Sequence, residues 1–390
     1  MFKLPFLHKD KSAGKFLAIT IDADSVRVLP FYFDGTTAKI IGSAKEKLEP
    51  GSVRAGSIID FKEVEDVVAS AIMKATSELE TEIYDAVVGI EGDLCLGITT
   101  TVRVKRPNAS QLGQKEFNEI NKKIVESAFM QAQNEYLEIT GNSDIDLEIV
   151  TTSNVYTKTE GALIETAVYH AFVPSYHIKN LQKTLKSVGL SVLSISPTAY
   201  AIVRSLKYSP LEHNDFTLIE IGNDTTTVAI VFGGGIVATK TLDIGYLHFV
   251  EGISEKMGLT PLESAKVLRT YCSGQFTETE GNVVQKCIFE ILSIWLEGLE
   301  ILFGEFTGVK TFASKIYITG KGATLPDVIT AVRERPWTKT IPFKENPEIR
   351  KIEFTDLVKI SDSTGKINTP GWVPTSALSA IYLEMQRKND

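Results

Sequence analysis

Between Asp215 and Phe232 the chain gathers groups able to do chemistry around one glycine: Glu220, Asn223, Asp224, Thr225, Thr226 and Thr227 surround Gly222, with an apolar run on each side. Strand, tight turn and second strand is the shape of a backbone loop that holds a phosphate through N–H groups. Glu220 and Asp224 put carboxylates where such a loop offers bare N–H donors. The pattern is that of a nucleotide-binding plan with altered chemistry. A second turn, Asp22-Ala23-Asp24-Ser25, lies between two apolar runs near the start of the chain. It repeats the motif, so each half of the chain offers one loop to a shared cleft.

Other reactive residue types form no pattern. The five histidines and three cysteines show no metal-ligand spacing, and the cysteines read as buried small apolar residues in a reducing compartment. There is no G-x-S-x-G elbow and no phosphate-loop lysine motif. Gly233–Gly235 lies between two strands and reads as a hairpin turn. The net charge is −8 with no basic block, which argues against nucleic acid as a partner. No apolar run approaches the ~18 residues of a spanning helix. The first residues interleave Phe2, Leu4, Phe6 and Leu7 with Lys3, Lys9 and Lys11, the make-up of a disordered leader or a tail that touches a membrane surface or a partner.

The elements that must position these groups follow from periodicity. Phe16–Asp22, Val26–Phe33 and Ala38–Ile41 read as a meander. Asp60 caps a helix and Glu63 completes a capping box, ahead of a stripe of Val64, Val67, Val68, Ala71, Ile72 and Ala75. Asp85–Ile90 is a buried strand. A strand–helix–strand–strand block follows, its helix marked by Phe117, Ile120, Ile124 and Ala128. Ile178, Leu181, Leu185 and Val188 mark the next helix, ended by Gly189, and Pro197 opens another. Residues 246–308 are mostly helical, with Ile288, Leu292, Trp295, Leu299 and Leu302 as a core stripe. Ile316–Thr319 leads to the turn Gly320-Lys321-Gly322, and the chain ends in a helix.

In order, these motifs resemble the actin-like ATPases of the sugar-kinase, heat-shock chaperone and actin group. More narrowly, the chain resembles the FtsA family of bacterial cell division, with the PilM family of type IV pilus assembly as its near relative. The first phosphate loop of that group, D-I-G-[ST], falls on Asp22-Ala23-Asp24-Ser25. The second, D-I-G-G-G-T-T-D, falls on Glu220-Ile221-Gly222-Asn223-Asp224-Thr225-Thr226-Thr227. The adenosine motif T-G-G-[GA]-A falls on Thr319-Gly320-Lys321-Gly322-Ala323, and A-E-x-x-K on Ala265-Lys266-Val267-Leu268-Arg269. Gly51, Gly56, Ile58 and Asp60 fit the family's approach to its first long helix.

The resemblance implies an α/β, two-lobed actin-like (ribonuclease H-like, duplicated) fold with a small α+β insertion of the 1C type. It places lobe 1 at 16–94 and 173–213, the insertion at 95–172, and the lobe 2 core at 214–245 and 313–375. A helical 2B-like part at 246–312, a leader at 1–15 and a returning C-terminal helix at 376–390 complete it. It implies ATP with magnesium as cofactors, and Asp22, Asp24, Ser25, Glu220, Gly222, Asn223, Asp224, Thr225, Thr226, Lys266, Arg269, Gly320, Lys321 and Gly322 as the nucleotide site, with Asp22 toward the metal. The departures point to nucleotide binding weakened or lost and to no catalytic residue. Asp24 replaces a glycine, and like charges ~4 Å apart cost roughly 4 kcal/mol at an effective dielectric of 20. Lys266 replaces a glutamate, and Lys321 adds bulk beside the adenosine.

By resemblance the function is a cytoplasmic, self-assembling, membrane-associated scaffold of cell division that binds an FtsZ-like partner. The amphipathic C-terminal helix of that family is not recognisable here, so membrane contact falls to the N-terminal tail or to a partner. The alternatives are a PilM-like adaptor that docks a peptide of a pilus membrane protein, and an active ATPase or small-molecule kinase on the same fold.

Overall fold

The computed structural model of the chain describes residues 14–92, 95–106, 113–207, 209, 211 and 213–387. The leader reading of Phe2–Lys11 lies outside the described residues. The chain opens with β1 (Lys15–Ile21) and β2 (Ser25–Phe33), an antiparallel hairpin, then β3 (Ala38–Ile40), β4 (Ala44–Lys47) and the small hairpin β5 (Val53–Arg54) and β6 (Ser57–Ile58). Helix α1 (Phe61–Ala75) and β7 (Asp85–Ile90) follow, then β8 (Leu96–Lys105), α2 (Gln114–Thr140), β9 (Leu147–Glu160) and β10 (Leu163–Pro174). Next come α3 (Ser175–Ser187), β11 (Ser191–Pro197) and α4 (Thr198–Ser205). The second half holds β12 (Phe216–Ile221), β13 (Thr226–Phe232), β14 (Gly235–Leu242), α5 (Tyr246–Met257), α6 (Pro261–Cys272) and α7 (Glu278–Gly304). It ends with β15 (Lys315–Thr319), α8 (Pro326–Glu334), β16 (Glu348–Lys351), β17 (Ile360–Asp362) and α9 (Val373–Arg387).

Two sheets organise these elements. One runs β11-β7-β1-β2-β3-β17, with β4 also on β2; the other runs β16-β15-β12-β13-β14-β8-β10-β9. The halves repeat one motif. In the first, hairpin β1–β2 lies beside β7, which is parallel to β1. In the second, hairpin β12–β13 lies beside β15, which is parallel to β12. Each hairpin turn is closed by the same bond: Asp22 N donates to Ser25 O and Gly222 N to Thr225 O, both at 2.9 Å. The duplicated loops are therefore alike in backbone as well as in sequence. β8 joins the second sheet through a single pairing, Ala238 with Ile98.

The core follows the apolar periods. On α1, Val64, Val68, Ala71 and Ala75 are buried. On α7, Ile288, Leu292, Trp295, Leu299 and Leu302 pack into the second-half core with Ile219, Val228 and Ile318. Gly233 and Gly234 take positive φ (61° and 77°) in the β13–β14 turn, a conformation open to glycine at little cost. Three local readings are corrected. The capping box at Asp60 is half made: Asp60 accepts from Glu63 N at 3.0 Å, while Glu63 accepts from Glu49 N at 3.2 Å. Phe117 is 45% exposed, because α2 buries only the face through Ile120, Ile124 and Ala128. Pro197 ends β11 instead of opening α4.

Trp295 connects this core to the second loop. Its ring is fully buried, and its Nε1 donates to Thr226 Oγ1 at 3.0 Å. Trp295→Ala is expected to cost about 3–5 kcal/mol through the cavity alone, and a urea-unfolding midpoint lowered without a change in slope measures it.

Candidate functional site

The two hairpin turns face each other across the gap between the sheets and touch. Asn223 Nδ2 donates to Asp24 Oδ1 at 2.7 Å. Ser25 Oγ donates to the same oxygen at 2.7 Å. Lys321, from the turn after β15, sends its ammonium to both Asp24 Oδ2 and Asn223 Oδ1. That ammonium also lies 4.3 Å from the ring centre of Tyr246, a cation–π contact. Three segments distant in sequence thus meet in one polar knot.

The electrostatics are those of a charge pair under burial. Burial pushes the Asp24 carboxyl up, but Lys321 and Lys45, with hydrogen bonds from Lys321 and Ser25, more than reverse this and hold it at about 2. For Lys321 burial is again the largest effect, and it outweighs the favourable charge of Asp24, bringing the ammonium down to about 8. The carboxylate is firmly ionised, whereas the ammonium discharges more readily. Arg27 and Arg269 add to this by repelling Lys321.

The remaining candidate residues divide by what their side chains do. Asp22 is ion-paired with Arg27, and both side chains are buried. Arg27 also lies 5.9 Å from the ring centre of Trp372. Asp22, which the resemblance turns toward a magnesium ion, is therefore paired with a cation of its own chain. Asp224 Oδ2 accepts from Ala55 N at 2.8 Å. Ala55, in the β5–β6 turn, has φ 45° and is the one non-glycine residue with positive φ among the described residues. Thr226 Oγ1 donates to Ile244 O at 2.6 Å and accepts from Trp295, so its hydroxyl is used in the core. Thr225 is buried beside Gly92 and Gly222. Lys321 does more than add bulk beside an adenosine, since its charge sits between the two loops. Lys266 is exposed on α6, and Arg269, exposed on the same helix, acts on Lys321 through its charge.

The glycines are required by close approach. A Cβ on Gly320, at φ 90°, would lie 2.4 Å from Ile221 O, and one on Gly322 would lie 2.1 Å from the Ile221 side chain. Gly245, missed in the sequence, is equally constrained, with Asn223 O 2.6 Å from its Cβ position. It lets the start of α5 reach the second loop, where Tyr246 N donates to Gly222 O (3.1 Å) and Leu247 N to Asn223 O (2.7 Å).

Beneath the knot lies a pair of acids. Glu220 is 2% exposed, accepts from Thr198 Oγ1 at 3.0 Å, and has no partner for Oε1. Glu91, just past β7, places Oε2 2.9 Å from the Cβ position of Gly222. Burial and then the charge of Glu220 push the Glu91 carboxyl up. Burial pushes Glu220 up, against its bond from Thr198. Burial, and for Glu91 the neighbouring negative charge, favour the protonated form of these acids. Sequence reasoning missed Arg27, Glu91, Thr198 and Tyr246. Arg27 left one signal, a cation inside the apolar run Ser25–Phe33, which needs a buried partner.

Several of the groups that the resemblance assigns to magnesium-bound ATP bond to one another here: Asp22 pairs with Arg27, and Asp24 is shared by Ser25, Asn223 and Lys321. Among the described residues no group of three or more His, Cys, Asp or Glu side chains is placed to hold a metal ion.

A pH dependence follows from the acid pair. Both carboxyls are raised in the folded protein above the ordinary value of 4.5. The folded state then holds more protons than the unfolded chain over the interval above that value, so this stabilisation is fully present below it and is lost as pH rises through the raised values. Thermal midpoints are expected to fall from mildly acidic pH toward alkaline pH in the wild type. Glu220→Gln, which mimics the protonated acid, is expected to flatten that slope; an unchanged slope counts against the pair as its cause.

Comparison with known proteins supports the geometry. No protein-family model matches the chain. A solved PilM–PilN type IV pilus biogenesis complex is similar over 93% of this chain and 97% of that one, with a TM-score of 0.67 and 15% identity. The ethanolamine utilization protein EutJ from Carboxydothermus hydrogenoformans is similar over 95% of this chain and 92% of that one, with a TM-score of 0.54 and 11% identity. A diol dehydratase-reactivating factor in nucleotide-free form matches over 95% and 100%, with a TM-score of 0.51 and 9% identity. With two duplicated hairpins facing one cleft and whole-chain similarity of this kind, the protein has the actin-like ATPase fold.

Proposed function

We propose that this chain is an actin-fold adaptor: a protein that docks a segment of a membrane-linked partner and does not turn over ATP. One observation carries the reading. The acid that would face magnesium, Asp22, is buried against Arg27, and Asp24, in the place of the first loop's glycine, is taken by Ser25, Asn223 and Lys321. Phosphoryl transfer rests on positioning a metal and an attacking water. The third alternative, an active ATPase or kinase, is disfavoured on the same ground.

The likeness to the PilM–PilN complex favours a pilus-type adaptor over the division scaffold with an FtsZ-like partner. A groove supports it. A cavity of about 470 Å³ runs beside β9 and is lined by Thr152, Ser153 and Asn154 of that strand, Tyr200 and Arg204 of α4, and Leu383 of α9. β9 is the last strand of its sheet, and a terminal strand can accept an extended peptide through main-chain hydrogen bonds. In this reading residues 95–172 form the inserted subdomain that contacts partners, and 16–94 with 173–213 form the lobe it packs against. Among the described residues no helix is long and apolar enough to cross a membrane; in this reading membrane contact comes through the N-terminal tail or the partner.

Phosphate release with ATP and magnesium is expected to stay at background, and calorimetric titration is expected to show no tight binding. Sustained turnover overturns the proposal. Ser153→Trp, which fills the groove, is expected to abolish co-sedimentation with inner-membrane vesicles from the source cells without lowering the thermal midpoint. Equal pelleting of variant and wild type removes the groove from the proposal.

A further inference from the structure

The bonding among these cleft residues has a second meaning. In a two-lobed protein with facing phosphate loops, a ligand gripped by both loops holds the lobes together. We propose that here Lys321, with Asp24 and Asn223, takes over that task, so that the lobes are tied in one relative position by side chains with no ligand at all. The inference rests on the bonding within the site and is independent of the adaptor reading.

Four contacts cross between the halves at this point. Asn223 of the second loop donates to Asp24 of the first at 2.7 Å. Lys321 binds both residues. Asp224 accepts from Ala55 N at 2.8 Å, holding the second loop to the β5–β6 hairpin. Thr198, at the start of α4, donates to Glu220 of β12 at 3.0 Å. The two loops also bond within themselves and to α5. The N–H of Asp22 and of Gly222 close their own turns. The carbonyls of Gly222 and Asn223 accept from the start of α5. Both oxygens of Asp24 are occupied.

Charge holds Lys321 in this place. A single ammonium in that place is attracted by Asp24 and faces the ring of Tyr246. Lys321 reaches the gap because Gly320 and Gly322 pack directly on Ile221, which brings its backbone beside the second loop. The tie is short and internal. It costs no association entropy, which a bound ligand would pay.

Hydrogen exchange on the full chain tests this, following the segments 20–28, 219–229 and 319–325. In the wild type the first two are expected to be equally protected with and without saturating magnesium–ATP. Lys321→Ala is expected to speed exchange roughly tenfold in both loops at once, although they belong to different halves. Lys321→Arg, which keeps the charge, is expected to restore most of the protection. If Lys321→Ala does not fold, Asp24→Asn is read instead: it keeps the shape, removes the charge, and is expected to loosen the same three segments. Exchange that rises only in 319–325, or loops in the wild type that gain protection when magnesium–ATP is added, overturns the proposal.

Discussion

A largely enclosed ammonium between two facing loops is the constraint on which the rest of this cleft depends. Removed from water, such a charge is tolerated only with good partners. Lys321 has a carboxylate, an amide oxygen and an aromatic face around it. Asp24 in turn needs that cation, because its second oxygen already takes donors from Ser25 and Asn223. The knot holds because its members satisfy one another. It brings together a turn from each half and the turn after β15.

The surrounding fold is arranged so that the loops can meet. Each hairpin sits beside a parallel strand, so its turn emerges at the same end of its sheet. Trp295 and Thr226 fix the second loop from the core side, and Gly245 lets α5 approach from the other. Asp22 and Arg27 hold the first loop from below as a buried pair beside Trp372. The two loops are thereby held in contact through their own polar groups.

Much of the fold was legible in local patterns. The Trp295 stripe, the α1 stripe and the Gly233–Gly234 turn each report a spacing or a backbone need that neighbours in sequence already express. The recurrence of the two loops was also visible, because duplicated backbone keeps its glycine and hydroxyl residues. The site was less legible. The reading of Asp24 and Asp224 as obstacles to a phosphate assumed that a phosphate was the neighbour. Asp224 instead meets the backbone of Ala55, and Asp24 meets a lysine some three hundred residues away in the chain. Glu91 and Thr198 gave no local sign, since their importance comes from lying next to Glu220.

What the sequence determined by itself was therefore the set of elements, the two loops and the departures from a nucleotide-binding plan, all of which are written in spacing and residue type. What only the tertiary structure decided was which charge pairs with which. Asp22 joins Arg27, Asp24 joins Lys321, and Glu220 faces Glu91 beneath Gly222. The physical reason is that hydrophobic period is a property of one segment, whereas the partner of a buried charge is whatever the packing of distant segments brings within a few ångströms.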